Sequence, residues 1–343
     1  MSYSRFLLLI IILDIVACFC LNMDDILRVE HLSKSFVKKS IFGSHTTSVK
    51  ATDDVTFSIT RGEVFVLAGE SGSGKSTIAK LILKSLDSDS GKIIFEGQEI
   101  KDEPKSISRI RMNCQMIQQD PYDSINPQMK IRDIVLEPLE IHNIGTKKDR
   151  ENRLVEVLKE VKLEPVNEIM NKFPHMLSGG QRQRVVLARA LSIKPKIILA
   201  DEPVSMLDVS IRAEMLELMK ELQRKYGISF IYITHDLATA RYFGQRIAIL
   251  YLGRIVEMGP IDEVLLKPKH PYTQALIDAI SEPDPDNLDK IKKIRIKEPP
   301  DLATSEGCRF QSRCPYVIDK CRIEPDLEEK NSKHFVACYV EFN

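Results

Sequence analysis

The sequence predicts an α/β fold built on a parallel sheet, and two observations carry that prediction. Three runs, 64–68, 197–200 and 228–234, are mostly apolar, as strands buried on both faces of a parallel sheet are. Runs with helical spacing follow the first two, at 78–84 and 211–222. Each apolar run leads into glycines or polar residues, where open α/β sheets place their ligands.

Composition narrows the class of protein but not its activity. The chain has 343 residues, enough for about two domains. Its hydrophobic content of 43% and charged content of 29% are ordinary for a globular protein. A formal net charge of zero gives no indication of nucleic-acid binding, and seven cysteines in so long a chain do not indicate a disulfide framework. We therefore expect a cytosolic protein with no nucleic-acid partner.

A glycine-rich turn after the first apolar run predicts a phosphate-binding site. The pattern G-x-x-x-x-G-K-S lies between a strand and a helix, and its glycines allow backbone N–H groups to face a phosphate. Lys75 supplies a positive charge for the β- and γ-phosphates, and the Ser76 hydroxyl is a ligand for Mg²⁺. The residues predicted to bind nucleotide here are Gly69, Glu70, Ser71, Gly72, Ser73, Gly74, Lys75, Ser76 and Thr77.

Two weaker candidates lie on either side of this turn. Runs 26–36 and 47–59 alternate like strands. Phe36 ends the first run, either as an adenine-stacking ring or as a phenylalanine of the core or the sheet edge. A predicted strand over 112–117 ends near Gln119, from which a polar side chain reaches a phosphate-bound metal.

Residues 177–184, Leu-Ser-Gly-Gly-Gln-Arg-Gln-Arg, are the most specific string in the chain. Ser178 is a predicted N-cap, and we expect a helix over 185–191. Gly179 and Gly180 allow a phosphate to approach backbone N–H groups. A capped surface helix explains the serine, but it does not explain two glycines before two arginines.

The other two apolar runs lead into acidic residues and a histidine. Asp201 suits the outer shell of Mg²⁺, and Glu202 is placed to polarise an attacking water. Asp208 leads into the next helix. His235 follows the third run, where it is placed to meet a γ-phosphate, although a lone histidine is usually structural.

Taken together, residues 23–279 resemble the ATP-binding subunit of an ABC transporter. The resemblance implies a P-loop NTPase domain with a helical subdomain over residues 23–262. Gln118 and Met206 depart from the family pattern, which usually has an aromatic residue and an alanine there. The matching elements are the Walker A loop (69–77), the Q-loop glutamine (Gln119), the signature (177–181), the Walker B pair (Asp201 and Glu202), the D-loop (205–208) and the switch histidine (His235).

This resemblance implies that two such domains bind ATP between them, head to tail. Ser178 and Gly180 of one subunit would bind the γ-phosphate that Lys75 of the other holds. Glu202, His235 and Gln119 are the catalytic residues on this pattern. The further nucleotide contacts that it implies are Phe36, Ser178, Gly179, Gly180, Gln181 and Asp208, and the Mg²⁺ contacts are Ser76, Gln119 and Asp201.

The tail, residues 263–343, resembles the C-terminal extension of oligopeptide and dipeptide importer ATPases, a group that also serves nickel uptake. The strings at 121–127, 270–276 and 313–316 carry this resemblance. It implies two membrane permeases, an extracellular substrate-binding protein, a second ATPase subunit and a peripheral place on the cytoplasmic face of the membrane. Peptide uptake is the expectation, and nickel or another small solute is the alternative. A soluble ABC ATPase acting on DNA or ribosomes is disfavoured, because the chain has one copy of each motif and no heptad run.

Four cysteines end the tail and leave two interpretations open. The intervening lengths of five, six and sixteen residues do not match paired C-x-x-C zinc patterns. Four thiolates on a small extension suit an iron–sulfur cluster, whereas inert thiols require no ligand. The residues concerned are Cys308, Cys314, Cys321 and Cys338.

The N-terminal segment, residues 1–22, is the remaining anomaly. Residues 6–16 are apolar except for Asp14, and Cys18 follows shortly after. A signal or lipoprotein-type leader fits this pattern, and the run is short for a membrane anchor, which needs ~20 apolar residues. Export would separate the site from its ATP, so we favour a true start at Met23.

Overall fold

The computed structural model describes residues 25–39, 46–279, 307–331 and 333–341. The segment 1–22, with its alternative interpretations, lies outside the described residues, as does the proline-containing stretch 280–306. None of the helices in the described ranges is long and apolar enough to cross a membrane.

An eight-stranded sheet forms the centre of the molecule. Strands β9, β3, β8, β7 and β6 pair in parallel, and the other three pair antiparallel at one edge, which confirms the predicted α/β fold. Side by side the strands are β11 (Glu328–Asn331), β12 (His334–Val336), β10 (Arg254–Pro260), β9 (Arg246–Tyr251), β3 (Val64–Ala68), β8 (Ser229–Thr234), β7 (Ile197–Asp201) and β6 (Cys114–Ile117).

A second, antiparallel sheet covers one face of the first. Its strands, in spatial order, are β2 (Thr46–Thr60), β1 (Asp25–Lys39), β4 (Ser90–Phe95) and β5 (Gln98–Glu99). Because side chains alternate along a strand, β3 supplies both sides of the core. Phe65 and Leu67 pack with β1, β2 and the first helix, whereas Val64 and Val66 pack with the helices of the opposite face.

Helices cover the central sheet and form a helical region between β6 and β7, where α4, α5 and α7 pack on one another. In chain order the helices are α1 (Lys75–Ile82), α2 (Pro104–Asn113), α3 (Pro121–Ser124), α4 (Ile131–Ile141), α5 (Lys147–Glu160), α6 (Val166–Ile169), α7 (Gly179–Ser192), α8 (Val209–Tyr226), α9 (Leu237–Phe243), α10 (Ile261–Leu266) and α11 (Pro271–Asp278).

Among the predicted element limits that differ from the structure, two have a clear physical cause. Helix α7 begins at Gly179 rather than at residue 185, because Ser178 and Gln181 form a reciprocal capping box at its start. The predicted strand over 112–117 is only β6, because Met112 belongs to the last turn of α2.

The tail is part of the central sheet. Strand β12 pairs antiparallel with β10, and Phe310 is buried in the core. At this seam Glu257 is fully buried, and its carboxylate accepts the backbone N–H groups of Lys269 (2.7 Å) and His270 (3.0 Å). Nε2 of His334 lies 2.7 Å from the same carboxylate. Three polar partners therefore offset the cost of burying this group.

Candidate nucleotide site

The phosphate loop connects β3 to α1 at the carboxyl edge of the central sheet. All five residues of β3 are buried, which fixes the start of the loop. Gly69 and Gly74 have φ angles of 149° and 104°. A Cβ would lie 2.2 Å from the Leu250 carbonyl oxygen at Gly69 and 2.0 Å from the Ala51 carbonyl oxygen at Gly74. Only glycine fits at these two positions.

The Lys75 ammonium lies inside this loop. It donates to the carbonyl oxygens of Gly69 (2.8 Å) and Glu70 (2.7 Å) and to Ser73 Oγ (3.2 Å). Burial lowers the pKa of Lys75, while the nearby carboxylates, Glu202 foremost, act in the opposite direction. The N-terminus of α1 has no side-chain cap. A positive charge and open N–H groups therefore face the same loop, as a phosphate requires.

Asp201, at the end of β7, lies beside Ser76. Burial raises the pKa of Asp201, and the Ser76 hydroxyl lowers it by hydrogen bonding to the charged form. The neighbouring Glu202 carboxylate raises it again. Together with the Gln119 amide, these hydroxyl and carboxylate oxygens are ligands of the kind that Mg²⁺ takes. The donor set thus fits the ion.

Glu202 brings the three predicted catalytic residues together. Its Oε2 accepts a hydrogen bond from Gln119 Nε2 at 2.9 Å, and its Oε1 lies 2.8 Å from His235 Nδ1. The backbone of Glu202 has φ 47°, a left-handed conformation that is uncommon outside glycine. Its N–H group donates to the Ile233 carbonyl oxygen at 2.9 Å, which holds the turn to β8. The carboxylate is thereby oriented from both sides.

The remaining predicted contacts lie on the surface of the described chain. Ser178 caps α7 as predicted, and it is exposed. A Cβ at Gly180 would lie 2.6 Å from Ile211 Cγ2, so a larger residue there would displace the Ile211 side chain of α8. Asp208 precedes α8 and is exposed, and Phe36 is 44% exposed on β1. Such surfaces are free to meet a second subunit and an adenine ring.

Two residues that the sequence analysis did not predict contact the phosphate loop. The Glu70 N–H group donates to Tyr272 Oη at 2.9 Å, and the Glu70 carboxylate pairs with the Arg313 guanidinium. Tyr272 and Arg313 lie 202 and 243 residues further along the chain. No local pattern indicates contacts of that separation.

The four tail cysteines are free thiols. Cys321 is buried, and the other three are half-buried. Burial raises the pKa of Cys308 to about 12, which favours the thiol over the metal-binding thiolate. Within the described ranges, no group of three or more His, Cys, Asp or Glu side chains is placed to hold a metal. The structure therefore gives the iron–sulfur interpretation no support.

Comparisons with known proteins identify the family. The family profile described as ABC transporter matches residues 52–205, and the profile described as oligopeptide/dipeptide transporter, C-terminal region, matches residues 256–321. The oligopeptide transport ATP-binding protein AppF of Bacillus subtilis is 38% identical over 93% of this chain and 98% of its own length. The chain belongs to the ATP-binding proteins of ABC transporters. A second relative, described as "Probable peptide ABC transporter ATP-binding protein y4tS" in Sinorhizobium fredii, is 41% identical over 92% of this chain and 90% of its own.

Solved structures of ABC ATPases share this fold. The chain cbiO1 of Clostridium perfringens, part of the ABC transporter complex cbiONQ, is 28% identical with a TM-score of 0.61, covering 71% of this chain and 92% of its own. The cassette MJ0796, solved as a dimer bound to ADP and Pi, is 30% identical with a TM-score of 0.60, covering 68% and 98%. As a member of this family, the chain is an ATPase coupled to transport that uses ATP and Mg²⁺.

Proposed function

We propose that this ABC ATPase lies at the cytoplasmic face of the membrane and powers the uptake of short peptides through two membrane permeases. An extracellular substrate-binding protein and a second ATPase subunit complete the proposed assembly. The match of residues 256–321 to the oligopeptide/dipeptide transporter profile supports the peptide substrate, as do the names of the relatives. The proposal divides the chain into an ATP-binding domain at 23–262 and an extension at 263–343.

The position of the Glu202 carboxylate carries the proposed mechanism. It lies between the Gln119 amide and the His235 ring, beside the buried charge of Lys75. In this position Glu202 orients a water for attack on the γ-phosphate and accepts its proton. Gln119 and His235 keep the Glu202 carboxylate oriented towards the attacking water, and His235 also contacts the γ-phosphate. Positioning and electrostatic stabilisation carry the rate, as is usual in phosphoryl transfer.

The nucleotide-binding residues have separate tasks in this proposal. Residues 69–77 hold the β- and γ-phosphates, and Phe36 stacks on the adenine. Ser76, Asp201 and Gln119 would hold Mg²⁺, which would supply positive charge against the phosphate oxygens. The remaining contacts come from the partner subunit's copy of the signature and D-loop, namely from Ser178, Gly179, Gly180, Gln181 and Asp208. In support of this, Ser178, Gly179 and Asp208 are exposed here, and Gly180 and Gln181 are half-buried.

The test combines hydrolysis with uptake. Glu202→Gln keeps the shape of the side chain but removes the negative charge and replaces one acceptor oxygen with an NH₂ donor, so ATP binding should persist while hydrolysis falls about 10²–10⁴-fold. Uptake of a labelled short peptide should fall with it. Glu263→Gln, the same exchange on an exposed helix, is the matched control. Unchanged ATP turnover in Glu202→Gln would contradict the catalytic role of Glu202. Loss of nickel uptake with peptide uptake intact would contradict the assignment of peptides as the substrate.

The iron–sulfur cluster is kept as a separate hypothesis with no role in this mechanism. Its support is the sequence alone, which places four cysteines on a small extension. Iron, sulfide and zinc assays on protein purified without oxygen decide the matter. Absence of all three ends the hypothesis.

A further inference from the structure

The tail reaches back to the phosphate loop at Glu70. Nη1 of Arg313 lies 3.1 Å from one carboxylate oxygen of Glu70, and Nη2 lies 3.2 Å from the other. This two-point geometry is the strong form of an arginine–carboxylate pair. The Arg313 side chain is only 11% exposed, and Nη1 also donates to Tyr251 Oη at 3.3 Å. The guanidinium is therefore fixed on both sides.

Glu70 is held at its backbone as well. Its N–H group donates to the buried Tyr272 hydroxyl at 2.9 Å, and its carbonyl oxygen accepts from Lys75 Nζ at 2.7 Å. The Tyr272 ring packs against Tyr251 and Phe310, with centroids 4.6 Å and 5.5 Å away. A displacement of Glu70 would therefore move the carbonyl oxygen that accepts a hydrogen bond from Lys75, the lysine proposed to bind the phosphates.

A second tail arginine supports the middle of the loop. Arg309 donates to the Leu252 carbonyl oxygen and to the Asp53 carboxylate. The adjacent Gly253 N–H group donates to the Ser73 carbonyl oxygen at 2.9 Å. The tail therefore braces the loop at two places, directly at Glu70 and through the β9–β10 turn at Ser73.

We propose that the tail is a clamp on the phosphate loop and that Arg313 is a positioning residue that sets the affinity for ATP. Arg313 fixes the loop in the phosphate-binding conformation and neutralises the carboxylate of Glu70, whose backbone carbonyl oxygen lies 2.7 Å from Lys75 Nζ. Without Arg313 that negative charge opposes the incoming polyphosphate. The proposal requires only that the loop binds ATP and does not depend on which solute is transported.

The first test is Arg313→Ala in the full chain, measured by equilibrium binding of ATP and by steady-state hydrolysis. We expect the Kd and KM for ATP to rise about tenfold with kcat changed less than twofold. Arg313→Lys keeps the charge but not the two-point geometry, so its Kd should lie between those of wild type and Arg313→Ala. Arg322→Ala, an exposed arginine of the same tail, is the matched control.

A double-mutant cycle with Glu70→Ala separates positioning from a general loss of stability. Because both substitutions break one pair, the double variant should bind ATP no more weakly than the weaker single variant. Additive losses overturn the proposal, as does an unchanged Kd in Arg313→Ala. If Arg313→Ala does not fold, Arg313→Lys decides alone: a raised Kd supports the clamp, and a wild-type Kd overturns it. An inactive wild type would contradict the ATPase assignment and not the clamp.

Discussion

The buried His270 predicts a specific loss of stability in acid. The residue is 1% exposed, and its backbone N–H group donates to the Glu257 carboxylate. Nδ1 of its ring accepts the backbone N–H group of Tyr272 at 3.0 Å. An accepting Nδ1 carries no proton, so the ring is neutral in the folded protein. Burial lowers the pKa of His270 from 6.5 to about 4, although the Glu257 carboxylate acts in the opposite direction. As the pH falls below 6.5, His270 therefore becomes protonated in the unfolded chain while it stays neutral in the folded chain.

The loss in the free energy of unfolding follows from the difference between the pKa values of His270 in the unfolded and folded chains. The contribution of neutral His270 to the free energy of unfolding is fully present above pH 6.5. It falls by about 3 kcal/mol in all as the pH decreases towards 4. The substitution His270→Asn keeps an acceptor for the Tyr272 N–H group but does not titrate. The free energy of unfolding in urea, measured from pH 7 to pH 4, should fall by about 3 kcal/mol less in this variant than in wild type. His175→Asn, at an exposed position, is the control and should keep the wild-type slope. Equal slopes in His270→Asn and wild type would refute the argument.

Two further predictions concern the phosphate loop and the core. Gly74→Ala should weaken binding of a fluorescent ATP analogue at least tenfold, because its Cβ would lie 2.0 Å from the Ala51 carbonyl oxygen. Gly72→Ala, whose Cβ meets no atom within 4 Å, should have a smaller effect, and equal losses would contradict the steric explanation. Cys114 is buried, which raises the pKa of its thiol, so iodoacetamide should modify it only after denaturation. Mass spectrometry of the native protein checks this, and rapid native labelling would contradict it.

The parallel strands and the meeting of Glu202 with His235 could be predicted from the sequence because their signals are local. A strand buried on both faces is mostly apolar. Strand β3 is apolar throughout, and β7 and β8 have polar residues only at their ends, at Asp201, Ser229 and Thr234. Because parallel strands end at one edge, Glu202 and His235 were expected there, and they lie 2.8 Å apart. Here local pattern and tertiary position agree.

The seam between tail and sheet could not be predicted in this way. Strand β12 has three residues, too few for alternation to stand out from chance. The role of Arg313 depends on a partner 243 residues away, and its neighbours in sequence do not indicate one. The start of α7 was missed for a different reason. Its first residues are glycines, which disfavour helix interiors, and the capping box at Ser178 decides the outcome.

Because Arg313 lies far along the chain from Glu70, the nucleotide site is completed late during synthesis. A ribosome adds about 5–20 residues per second, so the 243 residues that separate the pair take roughly 12 to 50 s to make. For that time β3, the loop and α1 exist without the residue that pairs with Glu70. A chain cut between residues 279 and 307 would remain in that condition permanently, with every Walker and signature residue in place. An intact set of motifs is therefore not proof of a finished site, because Arg313, which lies 243 residues after Glu70, completes it.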